Sequence, residues 1–309
     1  MVNVLVFPGQ GAQKLGMAKD LADRFPAARD TLAAIDEALG VPLTRIMWDG
    51  PEDALQQTLN TQPAILAHSA AVLAVVGERL GPVAGAAGHS LGEYSAYVAA
   101  GSLTAVDAAR LVRRRGELMH QAGSERPGAM AAVLGLPGDQ VGIACGQASS
   151  QGDGVAVAAN LNAPDQTVIS GDPAAVGRAG ELCKAAGAKR VMPLKVSGAF
   201  HSPLMAPAAV GLAEALGAVP FRDPAFPVVA NATATAVVTA AEARRLLVDQ
   251  LTAPVRWVEC ARTLAALAPA VRFVEIGPGT VLGGLIKRVV TEPQYLALGT
   301  ADDVEKFLA

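Results

Sequence analysis

Val83-Ala84-Gly85-Ala86-Ala87-Gly88-His89-Ser90-Leu91-Gly92-Glu93-Tyr94 decides the fold. A run of small apolar residues meets a Gly-x-Ser-x-Gly sequence. A helix-forming stretch follows to about residue 100, with Gly101 placed to close it. A strand, a sharp turn and a helix in that order are the unit of an α/β protein. The two glycines allow a turn tight enough to lift Ser90 above the sheet. The helix N-terminus behind it directs free N–H groups at an oxyanion formed on an attached acyl group. Ser90 is therefore a candidate nucleophile; the competing reading is a serine that only caps the helix.

Working outward, residues 2–7 form a second apolar run, suited to a strand buried on both faces, and end in the loop Pro8-Gly9-Gln10-Gly11-Ala12-Gln13. This loop is not a dinucleotide fingerprint, because Lys14 stands where the third glycine belongs. Helical patterns cover residues 17–39 and 63–80. Between residues 128 and 194 the pattern changes. Strands are predicted at 129–136, 155–159, 167–170 and 189–193, helices at 139–149 and 174–186, and a loop at 160–165. That β-α-β-β-α-β order is a ferredoxin-like split unit set into a larger body. The body resumes with a strand at 228–230, a helix over 240–251 and a strand at 271–276 ending in Gly277-Pro278-Gly279.

The composition narrows the function. The chain has 309 residues, of which 51% are hydrophobic, with a net charge of −3, so it lacks the basic excess of a nucleic-acid binder. Cys145, Cys183 and Cys260 are far apart and form no CxxC pair, which reads as reduced core residues without metal or redox chemistry. The N-terminal apolar run has no basic flank and stops at Pro8. The longest apolar run, 64–76, is interrupted by His68 and Ser69. Neither a signal peptide nor a membrane span is expected, and the expected location is the cytoplasm.

A serine nucleophile needs a base, and there are four histidines. His68 falls inside an apolar helix and reads as a core residue. His89 is too close to Ser90 in the chain to present its ring easily and reads as a support of the turn. His120 falls near a helix end at the surface. His201 lies in Ser197-Gly198-Ala199-Phe200-His201-Ser202-Pro203, a loop of the kind that carries catalysis, and is the candidate base. At the helical period, Ala108, Leu111, Val112, Met119 and Ala122 share a face, and Arg115 falls in its middle; Arg113 and Arg114 fall off it and read as solvated charges. A buried guanidinium needs an anion. Either an internal acid forms a structural ion pair with it, or it binds a carboxylate ligand. Gln250 sits likewise on the stripe of Ala243, Leu246 and Leu247, with a structural and a site role equally open.

Taken together, Phe7-Pro8-Gly9-Gln10-Gly11, Gly88-His89-Ser90-Leu91-Gly92-Glu93-Tyr94, Arg115-Gly116, Gly198-Ala199-Phe200-His201-Ser202, Gln250 with Pro254-Val255-Arg256-Trp257, and Glu275-Ile276-Gly277-Pro278-Gly279 resemble, in order and over essentially the whole chain, the malonyl-CoA:acyl carrier protein transacylases and the acyltransferase domains of polyketide and fatty acid synthases. The resemblance implies a large α/β-hydrolase-like body with a parallel sheet (residues 1–125 and 196–309) and an inserted ferredoxin-like small subdomain (126–195). It implies Ser90 as nucleophile and His201 as base, with a main-chain carbonyl near Gln250 in place of an acidic third member. The N–H groups of Gln10 and Leu91 would form the oxyanion hole. Arg115 would bind the malonyl carboxylate, with Gln250, Phe200, Asn162 and His89 as further substrate-binding residues. In the modular relatives, phenylalanine at the position of Phe200 goes with malonyl and serine with methylmalonyl.

The expected reaction moves malonyl from malonyl-CoA through an ester on Ser90 to the phosphopantetheine thiol of acyl carrier protein, in fatty acid synthesis. No cofactor or metal beyond these substrates is expected, nor any nucleic-acid or membrane partner, and the chain is expected to be a monomeric stand-alone enzyme. The alternatives are a free-standing polyketide acyltransferase, a Gly-x-Ser-x-Gly esterase or thioesterase, and an inactive carrier-protein docking module. The esterase reading lacks an HGGG-type loop.

Overall fold

Ten strands divide between two sheets in this computed structural model, which describes residues 2–309. They are β1 (Val2–Phe7), β2 (Val83–Gly88), β3 (Ala129–Leu134), β4 (Ala156–Ala163), β5 (Gln166–Gly171), β6 (Arg190–Pro193), β7 (Val228–Val229), β8 (Ala236–Val237), β9 (Val271–Ile276) and β10 (Gln294–Leu298). The larger sheet has the order β10-β9-β1-β2-β7-β8. Its first five strands are parallel, with Phe7 opposite Gly88 and Val6 opposite Glu275. β1 is central, and Val4 to Phe7 are all buried, which is why its sequence is apolar without alternation. The expected parallel sheet carries one departure: β8 is antiparallel to β7 at the edge.

The smaller sheet has the order β4-β5-β3-β6, all pairs antiparallel, with the helices Gly138–Ser150 and Pro173–Ala185 packed on it. This is the ferredoxin-like order. Its own core includes Val133, Ile169 and the thiols of Cys145 and Cys183; all three cysteines are free and buried.

Three local expectations change. The helix expected over 17–39 is two helices, Lys19–Arg24 and Pro26–Leu39, because Phe25, held extended before Pro26, breaks the run. The segment expected as a loop at 160–165 is mostly strand: β4 continues to Ala163, and its register shifts on either side of Asn160-Leu161. There it also touches the large body, Leu161 N–H donating to Val255 O and Val255 N–H to Ala159 O. The helix expected from Pro63 begins at Thr58 and encloses the proline. Pro63 leaves the Leu59 carbonyl without its helical donor, and Arg113 Nη1 supplies one at 3.3 Å.

That helix, with the turn continuing to Arg79, is long and apolar enough to cross a membrane, contrary to the expectation from its interruptions, but most of its apolar stretch is buried in this fold. Helix Ala105–Glu125 crosses it at Gly116. A Cβ on Gly116 would lie 2.7 Å from Leu59 Cα, so the Arg115-Gly116 pair brings the arginine's helix into backbone contact with its neighbour. The carboxyl ends of β1 and β2 thus open beneath the small sheet, at the edge where parallel sheets bind ligands.

Candidate active site

The turn after β2 is dictated by its glycines. A Cβ on Gly88 would lie 1.8 Å from the backbone carbon of Gly92, and a Cβ on Gly92 would lie 2.3 Å from Phe7 O. Nothing larger than hydrogen fits at either position. Between them Ser90 has φ 53°, a left-handed conformation costing about 1–3 kcal/mol for a residue with a side chain. Asn231 holds it there: its Oδ1 accepts the Ser90 N–H at 2.7 Å and its Nδ2 donates to Gly88 O at 2.7 Å. Gly9 in the loop after β1 is equally tight, since a Cβ there would lie 2.4 Å from His89 O, so that loop lies against the turn.

Ser90 Oγ lies 2.8 Å from His201 Nε2, and His201 Nδ1 donates to the main-chain oxygen of Gln250 at 2.9 Å. That second bond fixes the tautomer, leaving Nε2 free to accept the serine proton. Burial, and then the neighbouring Arg115 charge, push the His201 imidazole down to about 3, so it is neutral. The other histidines fall elsewhere. His68 is buried and bonded through Nε2 to Gly299 O; His120 is exposed; His89 donates from Nε2 to Asn162 Oδ1 at 2.8 Å and lies against Trp257.

Arg115 is 1% exposed, as its place on the helix stripe predicts. Its guanidinium is met by neutral acceptors: Gln62 Oε1 at 2.7 Å, Gln250 Oε1 at 2.9 Å and Ser90 Oγ at 3.1 Å. Among the described residues no carboxylate lies within ion-pair distance of it, so the structural ion pair left open by the sequence is not formed. Gln62 is itself held by donating to Met119 Sδ at 3.3 Å. Arg113 departs from the expected solvated charge. It is partly buried and bonds Glu117, Asn60 Oδ1 and Leu59 O, fastening the start of the neighbouring helix. Arg114 is exposed, as expected.

These groups surround a cavity of about 240 Å³. Gln10, Ser90, Leu91, Arg115, Phe200 and His201 line one side; Met130, Asn160, Asn162 and Val168 of the small sheet line the other. The N–H groups of Gln10 and Leu91 have no acceptor among the described residues. Gln250, expected among the substrate-binding residues, does not line the cavity. It is fully buried and acts on the site through Arg115, the Ser90 carbonyl and His201. No group of three or more His, Cys, Asp or Glu suited to a metal occurs among the described residues.

Three residues escaped the sequence reading as parts of the site: Gln62, Asn231 and Glu93. Glu93 was visible only as a letter of the serine motif. Its Oε2 accepts the Asn231 N–H at 2.9 Å and Gln250 Nε2 at 2.7 Å. A buried polar residue in an apolar helix was the available signal for Gln62; nothing local marks Asn231.

Residues 4–306 match the acyl transferase domain family. A malonyl CoA-acyl carrier protein transacylase of Bacillus subtilis is 43% identical over 300 residues, 97% of this chain and 94% of the relative. The crystal structure of an acyl carrier protein S-malonyltransferase from Vibrio cholerae superposes with a TM-score of 0.93 at 42% identity, covering 99% of each chain. A malonyl-transacylase solved in complex with a type II polyketide acyl carrier protein superposes with a TM-score of 0.94 at 42% identity, covering 100% of this chain and 99% of that one. Fold, Gly-x-Ser-x-Gly turn and full-length similarity agree: the chain belongs to the acyl transferase domain family, among the malonyl CoA-acyl carrier protein transacylases.

Proposed function

We propose that the chain transfers a malonyl group from malonyl-CoA to the phosphopantetheine thiol of an acyl carrier protein in fatty acid synthesis, by way of an ester on Ser90. The observation that carries this reading is Arg115: a buried guanidinium touching the nucleophile and facing no carboxylate of its own. A short diacid thioester with its carbonyl at Ser90 brings a carboxylate to it.

His201 Nε2 takes the Ser90 proton as Oγ attacks the thioester carbonyl. The oxyanion rests on the N–H groups of Gln10 and Leu91, a contribution of about 10²–10³ in rate for each donor. The tetrahedral adduct collapses, the C–S bond breaks, and the imidazolium returns its proton to the coenzyme A sulfur. The carrier thiol then enters, gives its proton to His201 and attacks the ester carbonyl, and Ser90 leaves with that proton. Asn162, His89 and Phe200 shape the cavity around the acyl group. We take residues 126–195 as a small subdomain roofing the site, with residues 1–125 and 196–309 as the body. One chain supplies the whole dyad, which fits a monomeric enzyme.

The test is to mix the protein with malonyl-CoA, with and without holo acyl carrier protein, and follow the acyl group by intact mass. A malonyl adduct on the Ser90 peptide, discharged by the carrier and absent in Ser90→Ala, is expected. Rapid hydrolysis without the carrier supports the esterase reading, and no adduct at all supports an inactive docking module.

A further inference from the structure

Glu93 is fully buried on the first turn of helix Gly92–Ala99, and no lysine or arginine lies within ion-pair distance of it among the described residues. Its Oε2 accepts from Asn231 N–H and Gln250 Nε2; its Oε1 has no partner. The same Gln250 amide accepts from Arg115 through Oε1 and donates to Ser90 O at 3.0 Å. Only one orientation of that amide works. Reversed, it sets NH₂ against the guanidinium and oxygen against both the carboxylate and the Ser90 carbonyl. Arg115 and Glu93, a cation and an acid each buried without a direct opposite charge, therefore sit at the two ends of one oriented amide.

We propose that Glu93 is a positioning residue that sets acyl-group specificity: through Gln250 it is the resident counter-charge of Arg115, and it competes with the incoming acyl carboxylate for that cation. The inference rests on the reading of Arg115 as the carboxylate-binding residue. With that carboxylate bound, the pocket holds two acids and one cation, and the ionised form of Glu93 becomes surplus. The other titratable groups near Glu93 are Tyr94 and Tyr97 on its own helix and Cys260 on helix Trp257–Ala266. Burial raises all three well above neutral pH, so they stay uncharged. Burial also pushes Glu93 up to about 7, against the bonds from Asn231 and Gln250 and the Arg115 charge. Burial also holds the imidazoles of His201 and His89, the histidines beside Arg115 and Ser90, below their ordinary range, which leaves Glu93 as the group near Arg115 whose charge changes around neutrality.

Glu93→Gln tests this with the packing retained. The new carbonyl oxygen can replace Oε2 with both its hydrogen bonds, and the NH₂ takes the place of the unpartnered Oε1. Single-turnover acylation with malonyl-CoA and acetyl-CoA is followed from pH 6 to 8.5 in wild type, Glu93→Gln and Arg115→Ala. Both thioesters carry the same coenzyme phosphates, so the ratio isolates the carboxylate. In Glu93→Gln the half-saturating malonyl-CoA concentration should fall about three- to tenfold relative to that of acetyl-CoA. In wild type the malonyl value should rise with pH through about 7 relative to acetyl, and in Glu93→Gln it should be flat. A malonyl-to-acetyl ratio that is pH-independent in wild type overturns the proposal. So does a Glu93→Gln variant that loses both substrates equally. If Arg115→Ala leaves the ratio untouched, the reading of Arg115 itself fails; if it abolishes the ratio while Glu93→Gln changes nothing, only the role of Glu93 fails.

Discussion

Arg115 donates from Nη2 to the hydroxyl of Ser90 at 3.1 Å, so the cation proposed to bind the acyl carboxylate and the proposed nucleophile are in direct contact. Arg115→Ala should reduce malonyl acylation by about 10²–10³-fold, the scale of losing one partner of a buried charge pair, while acetyl acylation holds or rises. Arg113→Ala should leave the ratio of the two alone and lower the melting temperature, because Arg113 supports Leu59 O and Asn60 and not the cavity. Measuring kcat/KM for both thioesters with the melting temperature separates the two arginines.

Phe200 is 6% exposed, lines the cavity and precedes His201 in sequence. Its ring should crowd a methyl group on the acyl α-carbon. Phe200→Ser should narrow the preference for malonyl over methylmalonyl by about tenfold, the scale on which a pocket senses one methyl group. Equal kcat/KM for the two thioesters in wild type removes Phe200 from the specificity argument.

The pH dependence of acylation at saturating malonyl-CoA reports on His201. Its imidazole, held down to about 3, is already neutral at pH 5, so the rate should be flat between pH 5 and 8 where an exposed histidine gives a fall near 6.5. Stability runs the other way. The unfolded chain binds the proton below about 6.5 and the folded chain does not, so His201 lowers stability progressively as pH falls from 6.5 toward 3. An acylation step centred near 6.5 contradicts the assignment.

Gly92→Ala should be destabilised by about 3 kcal/mol or more, because its Cβ meets the Phe7 carbonyl and no side chain can yield. Gly217→Ala, in helix Ala206–Ala218 with nothing near its Cβ, should be neutral or stabilising by up to about 1 kcal/mol. Thermal or urea unfolding of the pair checks the contrast.

What the sequence made legible is what sterics and periodicity write locally. The serine turn follows from two glycines that admit no Cβ, and the burial of Arg115 from its place in a 3.6-residue stripe. The helix start at Thr58 was hidden because Pro63 reads as a boundary, and the group that relieves it, Arg113, is 50 positions away in the chain. Asn231, Glu93 and Gln62 were hidden for a related reason. Their roles are hydrogen bonds to Ser90, Gln250 and Arg115, between 53 and 157 positions distant, and the orientation of an amide leaves no period in a sequence. Gln250 shows both sides: its burial was readable, but its side chain behind the cavity was not.

The acceptor for His201 Nδ1 belongs to the peptide backbone at position 250, so any residue there carries it. An acid that orients a histidine through its side chain can be erased by one codon change; this one cannot. Mutational scanning at position 250 will register the amide that serves Arg115 and Glu93 and stay blind to the carbonyl that serves His201. The orientation of the His201 ring is thereby inherited with the path of the chain, and only changes that move the backbone after helix Ala240–Asp249 can lose it.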